Sequence, residues 1–345
     1  MIEGHTDQDL EKELKRYMYA GLYPDVLRRL AWRPWLARAE VRCFRPMVSK
    51  ISPDLAALTL FISCQQNSCR YCYGAARSML KVLGLPEQEI LGIERAAYSE
   101  AETQQPVSTF VRKLAEADPR PGAAELESLR ESGLDPVAIA EIIGVVTAAN
   151  FSNRNCTFLA VPPETILEKQ AGGLVGLVLR LIWGKRNAAV RPSREDLDFE
   201  DTVDPFSPFV ALPSGTAYAR WLRSAIDACL SDEVIGRNAK LFMFAVVART
   251  LQSPAFEQAC EQALEGRGWS REDIQSGIES LSPRNFSQKE LNLLAWTRET
   301  VWYVPFEVQR RTADFAREHT DPEFLVEAVG TAALANALAR LGLLI

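Results

Sequence analysis

Two cysteines three residues apart, Cys69 and Cys72, stand where a helix is expected to begin. Ser68 is the expected N-cap, and 69–83 carries good helix formers with Cys72, Ala76, Met79 and Leu83 along one face. Gly84 followed by Pro86 supplies the stop. Both sulfurs then lie in the first turn, where unpaired backbone N–H groups favour negative charge. A thiolate there is expected to have a pKa below the free-cysteine value of about 8.5. Two such thiols can also close a disulfide, which is the minimum equipment for dithiol redox chemistry.

The elements that must position this pair read as helical throughout. In the first part of the chain apolar residues recur with helical spacing over 27–37, 54–64, 69–83, 86–97, 109–117 and 136–150. In the second part they do so over 217–229, 239–251, 255–265, 290–316 and 322–341, and hairpin signals are missing. A further helix is expected from Pro162-Pro163-Glu164 to about Trp183.

The pattern Asp135-Pro136-x4-Glu141-x2-Gly144-x5-Asn150 returns as Asp321-Pro322-x4-Glu327-x2-Gly330-x5-Asn336. Upstream, Ser99-x-x-Glu102 matches Ser287-x-x-Glu290, and Gly84-x5-Ile90 matches Gly268-x5-Ile274. Three landmarks in one order, offset by 184 to 188 residues, predict an internal duplication. The expected organisation is two all-α domains in tandem: 1–184 with the thiol pair, an acidic, proline-containing linker over 185–212, and a second domain over 213–345. The acidic run Glu195, Asp196, Asp198, Glu200 and Asp201 reads as a solvated face. With Gly268 placed on Gly84, Ser253 and Phe256 replace Cys69 and Cys72, so the second copy has no disulfide chemistry.

Composition narrows the function classes. The 345 residues are 47% hydrophobic and 24% charged with a net charge of −6, which argues against a general nucleic-acid binder. The polar, acidic start does not resemble a secretory signal. The longest apolar run, 171–183, is interrupted by Arg180 and too short to span a bilayer. A soluble cytoplasmic protein, away from membranes and nucleic acid, is expected. Only His5 and His319 are present, which disfavours Ser-His-Asp triads and multi-histidine metal sites. Seven cysteines scattered over the chain do not make an extracellular disulfide framework. Cys43, Cys156, Cys229 and Cys260 read as buried small hydrophobes. Cys64 has three readings: core filler, a third redox thiol, or, with Cys156, part of a four-cysteine zinc site. Cys-x4-Cys-x2-Cys on helices is not a zinc-ribbon spacing, so no metal and no cofactor are expected.

The phrase SCQQNSCRYCYGAARSMLKVLGLPEQEI, with the later helix AIAEIIGVVTAANFSNRNC, resembles the carboxymuconolactone decarboxylase and alkylhydroperoxidase D-like superfamily. The resemblance covers most of both repeats, with specific motifs only in the first. It implies an all-helical homo-oligomer, a dimer or trimer for a duplicated chain, with Cys72 attacking a hydroperoxide and Cys69 resolving it. An external dithiol would then reduce the disulfide. Where the family has a relay glutamate and histidine, this chain has Ala57 and Ala76. Candidates to support the thiols instead are Cys64, Gln65, Gln66, Arg70, Tyr71, Tyr73, Arg77 and Glu141, although the recurrence of Glu141 as Glu327 favours a structural role. Two alternatives stay open. One is a cofactor-independent decarboxylase or lyase of a small carboxylated metabolite held by Arg77 or Arg154. The other is a non-catalytic helical interaction protein.

Overall fold

The computed structural model describes residues 2–18, 23–43, 46–96, 106–163, 190–198, 200–231, 234–302 and 304–345. The helix expected after Pro163, the apolar run over 171–183 and the Ser99–Glu102 pair lie outside them.

Among the described residues there are eighteen helices and no strand. They are α1 Gln8–Lys15, α2 Asp25–Leu30, α3 Pro34–Val41, α4 Pro53–Gln66, α5 Arg70–Leu83, α6 Glu87–Ala96, α7 Pro106–Glu116, α8 Ala123–Glu131 and α9 Pro136–Phe158. The series continues with α10 Arg194–Leu197, α11 Ser207–Ala211, α12 Ala217–Ser231, α13 Arg237–Thr250, α14 Pro254–Glu265 and α15 Arg271–Ser280. It ends with α16 Gln288–Glu299, α17 Pro305–Glu318 and α18 Pro322–Leu341. An isolated bridge pairs Met47 with Val190. The chain is therefore all-α.

Proline and the N-caps set most boundaries. The helix predicted over 27–37 is two, because Pro34 occupies the first turn of a new one. The stretch 290–316 divides in the same way at Pro305. Asp135 and Asp321 cap α9 and α18 through their carboxylates, and Ser287 with Glu290 forms the expected capping box. Helix α9 continues past Asn150 to Phe158.

Helices α9 and α18 pack against each other at the centre. Both are long and apolar enough to cross a membrane, yet the apolar windows are 83% and 100% buried inside the protein, so they are core helices. Around α9 lie α4, α5 and α7; around α18 lie α13, α14 and α12. The segment expected as a linker is packed where it is described. Phe206, Phe209 and Val210 are buried, and Arg223 of α12 pairs with Asp201 and Asp204.

The contacts between the two halves are reciprocal. Leu36 of α3 lies against Gly330 of α18, and Tyr218 of α12 lies against Gly144 of α9. Arg154 of α9 donates to the carbonyls of Thr300 and Val301 at 2.6 and 2.5 Å, just past α16. Arg340 of α18 donates to the Ala115 carbonyl at 2.8 Å, at the end of α7. Each part of the chain thus sends an arginine and an apolar or aromatic side chain into the other.

Candidate functional site

The turn from α4 into α5 is only three residues long. Asn67 ends α4, Ser68 takes a left-handed backbone (φ 50°), and Cys69 is the N-cap of α5. Ser68 is therefore not the cap. The buried Asn67 amide donates to Asn150 Oδ1 of α9 at 2.7 Å, which ties the turn to the central helix. The tight turn puts Cys64, in the last turn of α4, next to Cys69 and Cys72. Gly84 ends α5 in the left-handed conformation expected of it (φ 96°).

A third sulfur joins the pair. Cys156 of α9 is buried as expected, and its sulfur lies beside the pair. The sulfurs of Cys69, Cys72 and Cys156 all lie within 4.8 Å of one another. The Cys64 thiol lies outside that group and donates to Asn153 Oδ1 at 3.4 Å. Cys72 is the most accessible of the four at 8% exposure; Cys69 has 3%, Cys156 1% and Cys64 none.

The polar partner of Cys72 comes from residues the sequence pattern did not single out. Ser152 Oγ of α9 lies 3.9 Å from Cys72 Sγ and 2.5 Å from Glu40 Oε1 of α3. Asn155 donates to the other Glu40 oxygen at 2.8 Å. Glu40 is fully buried. Burial pushes its carboxyl up to about 7, against the lowering effect of the Ser152 and Asn155 hydrogen bonds. Cys72, Ser152 and Glu40 thus form a continuous chain from thiol to carboxyl.

The expectation of lowered thiol pKa values is overturned. Burial pushes Cys72 up, and pushes Cys69 and Cys156 up further. Desolvation of a thiolate in an apolar site outweighs the few N–H groups at the start of α5. At rest these thiols hold their protons.

Most of the other predicted supporting residues are engaged elsewhere. Gln65 donates to the Glu94 carbonyl, and Gln66 bonds Glu116 and Arg112. Tyr73 and Arg77 bind Glu94, with Arg77 also on Glu87. Arg70 is exposed, and Tyr71 is buried. Glu141 accepts from the backbone N–H groups of Ser49, Lys50 and Ile51 and from the Ser49 hydroxyl. It fixes the loop before α4 and takes no part in the thiol cluster. Of that group the structure brings only Cys64 to the pair, while Glu40, Ser152, Asn155 and Cys156 complete the site.

No protein-family model matches the chain, and no curated protein matches it.

Proposed function

We propose that the chain is a thiol peroxidase of the alkylhydroperoxidase D-like kind, reducing hydroperoxides through Cys72. The observation that carries this reading is the path from Cys72 Sγ through Ser152 Oγ to Glu40. A raised thiol pKa leaves little thiolate at neutral pH, so attack needs a proton acceptor in place. Glu40, with its pKa near 7, can take the proton and return it, and general acid–base help of this sort contributes about 10² to 10⁴-fold.

The steps balance. The Cys72 proton passes by way of Ser152 to Glu40; the sulfur attacks the distal oxygen and breaks the O–O bond. The alkoxide leaves with the proton from Glu40, giving an alcohol and a Cys72 sulfenic acid. The Cys69 thiol condenses with it, water departs, and a Cys69–Cys72 disulfide remains for an external dithiol to reduce. The accessibility order supports Cys72 as the attacking sulfur. Decarboxylation of a carboxylated metabolite is less well supported, because Arg77 and Arg154 are both engaged with protein groups. Exposed Trp302, Val304 and Phe306 supply apolar surface for the dimer or trimer that accompanies this reading.

The test is to follow hydroperoxide consumption by the reduced chain with a dithiol present, and to map disulfides by peptide mass spectrometry. Catalytic consumption with a Cys69–Cys72 disulfide supports the proposal. Thiols that oxidise no faster than free cysteine overturn it.

A further inference from the structure

Three sulfurs converging in a buried, largely apolar site are more than dithiol exchange requires. Exchange uses two. The third, Cys156, comes from α9, a different helix from the pair, and it lies within 4.8 Å of both. Cys64, at the end of α4, is the next sulfur outside that group, and its peptide carbonyl accepts from the Cys69 N–H at 3.2 Å. Tetrahedral zinc bound at about 2.3 Å per sulfur sets its ligands about 3.8 Å apart, so shifts of about 1 Å bring the sulfurs of Cys69, Cys72 and Cys156 into place.

We infer that Cys69, Cys72 and Cys156, with Cys64 as the fourth ligand, form a binding site for a thiophilic divalent ion, Zn²⁺. The donor set selects the ion: soft sulfur ligands without carboxylate or imidazole favour zinc over magnesium, calcium or manganese. All four ligands come from three helices already packed together, α4, α5 and α9, so the ion needs little ordering of the chain.

Binding exchanges protons for the metal: Zn²⁺ plus four thiols gives a tetrathiolate complex and four protons. The resulting negative charge has neighbours suited to it. The cluster lies at the start of α5, whose first N–H groups favour negative charge. Ser152, whose hydroxyl donates to Glu40 and lies 3.9 Å from the Cys72 sulfur, is a polar neighbour of that ligand. This inference does not rest on the peroxidase reading. Where both hold, a bound ion occupies Cys72 and blocks peroxide attack, and formation of the Cys69–Cys72 disulfide removes two ligands and releases the ion.

The experiment is to titrate the reduced, chelator-treated full chain with Zn²⁺ against a chromophoric chelator, and with Co²⁺ as a spectroscopic stand-in. Expected are one ion per chain, release of protons in weak buffer, and intense sulfur-to-cobalt charge-transfer bands with the strong visible bands of a tetrahedral site. Cys156→Ser should weaken binding at least 100-fold while leaving helical circular dichroism intact. Cys69→Ser is a second variant should Cys156→Ser fail to fold, and Cys229→Ser, at a buried cysteine away from the cluster, should bind as the parent does. Absence of stoichiometric binding overturns the site, as does equal binding by Cys69→Ser and the parent. Hydroperoxide turnover measured on the metal-free chain separates the two readings: an inactive chain that binds zinc loses only the peroxidase assignment.

Discussion

At Cys69 and at Ser253 the chain makes the same move. A left-handed residue, Ser68 in one place (φ 50°) and Gln252 in the other (φ 51°), precedes an N-cap that opens a helix. In the first place the N-cap sulfur meets Cys72 and Cys156. In the second, Ser253 and Phe256 meet Gly342, where a Cβ would lie 2.3 Å from Ser253 Oγ and 3.1 Å from Phe256 Cβ. The Phe256 ring fills the space and packs on Phe206, Phe209 and Phe244. The same turn opens onto a cluster of sulfurs in one place and an aromatic cluster in the other, according to the side chains that surround it.

The carboxylates of the two central helices differ in a parallel way. Glu141 is satisfied by backbone N–H groups of a loop whose residues Ser49 and Lys50 are exposed. Glu327 is enclosed with Lys240, both without solvent exposure, and also accepts from Trp35 and Arg33. Both carboxylates are buried, but the partners of the first include the backbone of two exposed residues, whereas the second faces a buried lysine.

Five measurements sharpen or break these comparisons. Cys72→Ser should lower hydroperoxide turnover by about 10³-fold or more, as removal of a nucleophile does. A Ser253→Cys, Phe256→Cys double variant restores the spacing in the other half yet should gain no turnover, since neither Ser152 nor Glu40 faces it. Turnover by that variant in a Cys72→Ser background would mean that spacing alone suffices.

Glu327→Ala should destabilise the chain by about 3–5 kcal/mol in denaturant unfolding, because Lys240 is left charged and buried. Glu141→Ala should cost only about 1–3 kcal/mol, since water reaches the loop N–H groups it vacates. Equal losses would remove the distinction between the two carboxylates.

Glu40 gives a pH signature. Its folded pKa of about 7 lies above the ordinary 4.5, so the native state holds a proton that the unfolded chain releases. Its contribution is fully present below about pH 4.5 and is lost as pH rises towards 7, by up to about 3 kcal/mol. Glu40→Gln should flatten unfolding free energy across that window, and an unchanged slope would place the titration elsewhere.

The smallest effects belong to the glycines at the crossing contacts. A Cβ at Gly144 would lie 2.3 Å from the ring of Tyr218, whereas at Gly330 it would lie 2.6 Å from the end of Leu36. Tyr218 is also held by the Met47 N–H at 3.1 Å, so its ring has less room to move. Overpacking costs of about 1–3 kcal/mol are expected, with Gly144→Ala at the upper end and Gly330→Ala at the lower.

The thiol pair, its helix and the stop at Gly84 were legible because local chemistry sets them: a turn, an N-terminus and a left-handed glycine. The all-helical class followed from apolar spacing. Glu40 was not read, although a signal exists: it shares the buried stripe of Leu36, Ala37 and Val41 on α3, and a lone charge on such a stripe must find a partner. Ser152, Asn155 and Cys156 lie at helical spacing in the polar end of α9, among Asn150, Asn153, Arg154 and Thr157, so nothing local sets them apart. What they touch depends on how α3, α5 and α9 are brought together, which local spacing does not encode. Burial of the thiols is likewise a property of packing, and it reversed the sign of the pKa expectation.

The crossing contacts of Arg33 and Trp35 also bear on how the chain is made. Arg33 finds Glu327 across 294 positions of sequence, so during synthesis α3 must wait for its partner while the ribosome adds nearly all of that length. At about 5–20 residues per second the interval is roughly 15–60 s. Through that time the buried face of α3 lacks its final cover, and a nascent chain is the form in which chaperones would meet it first.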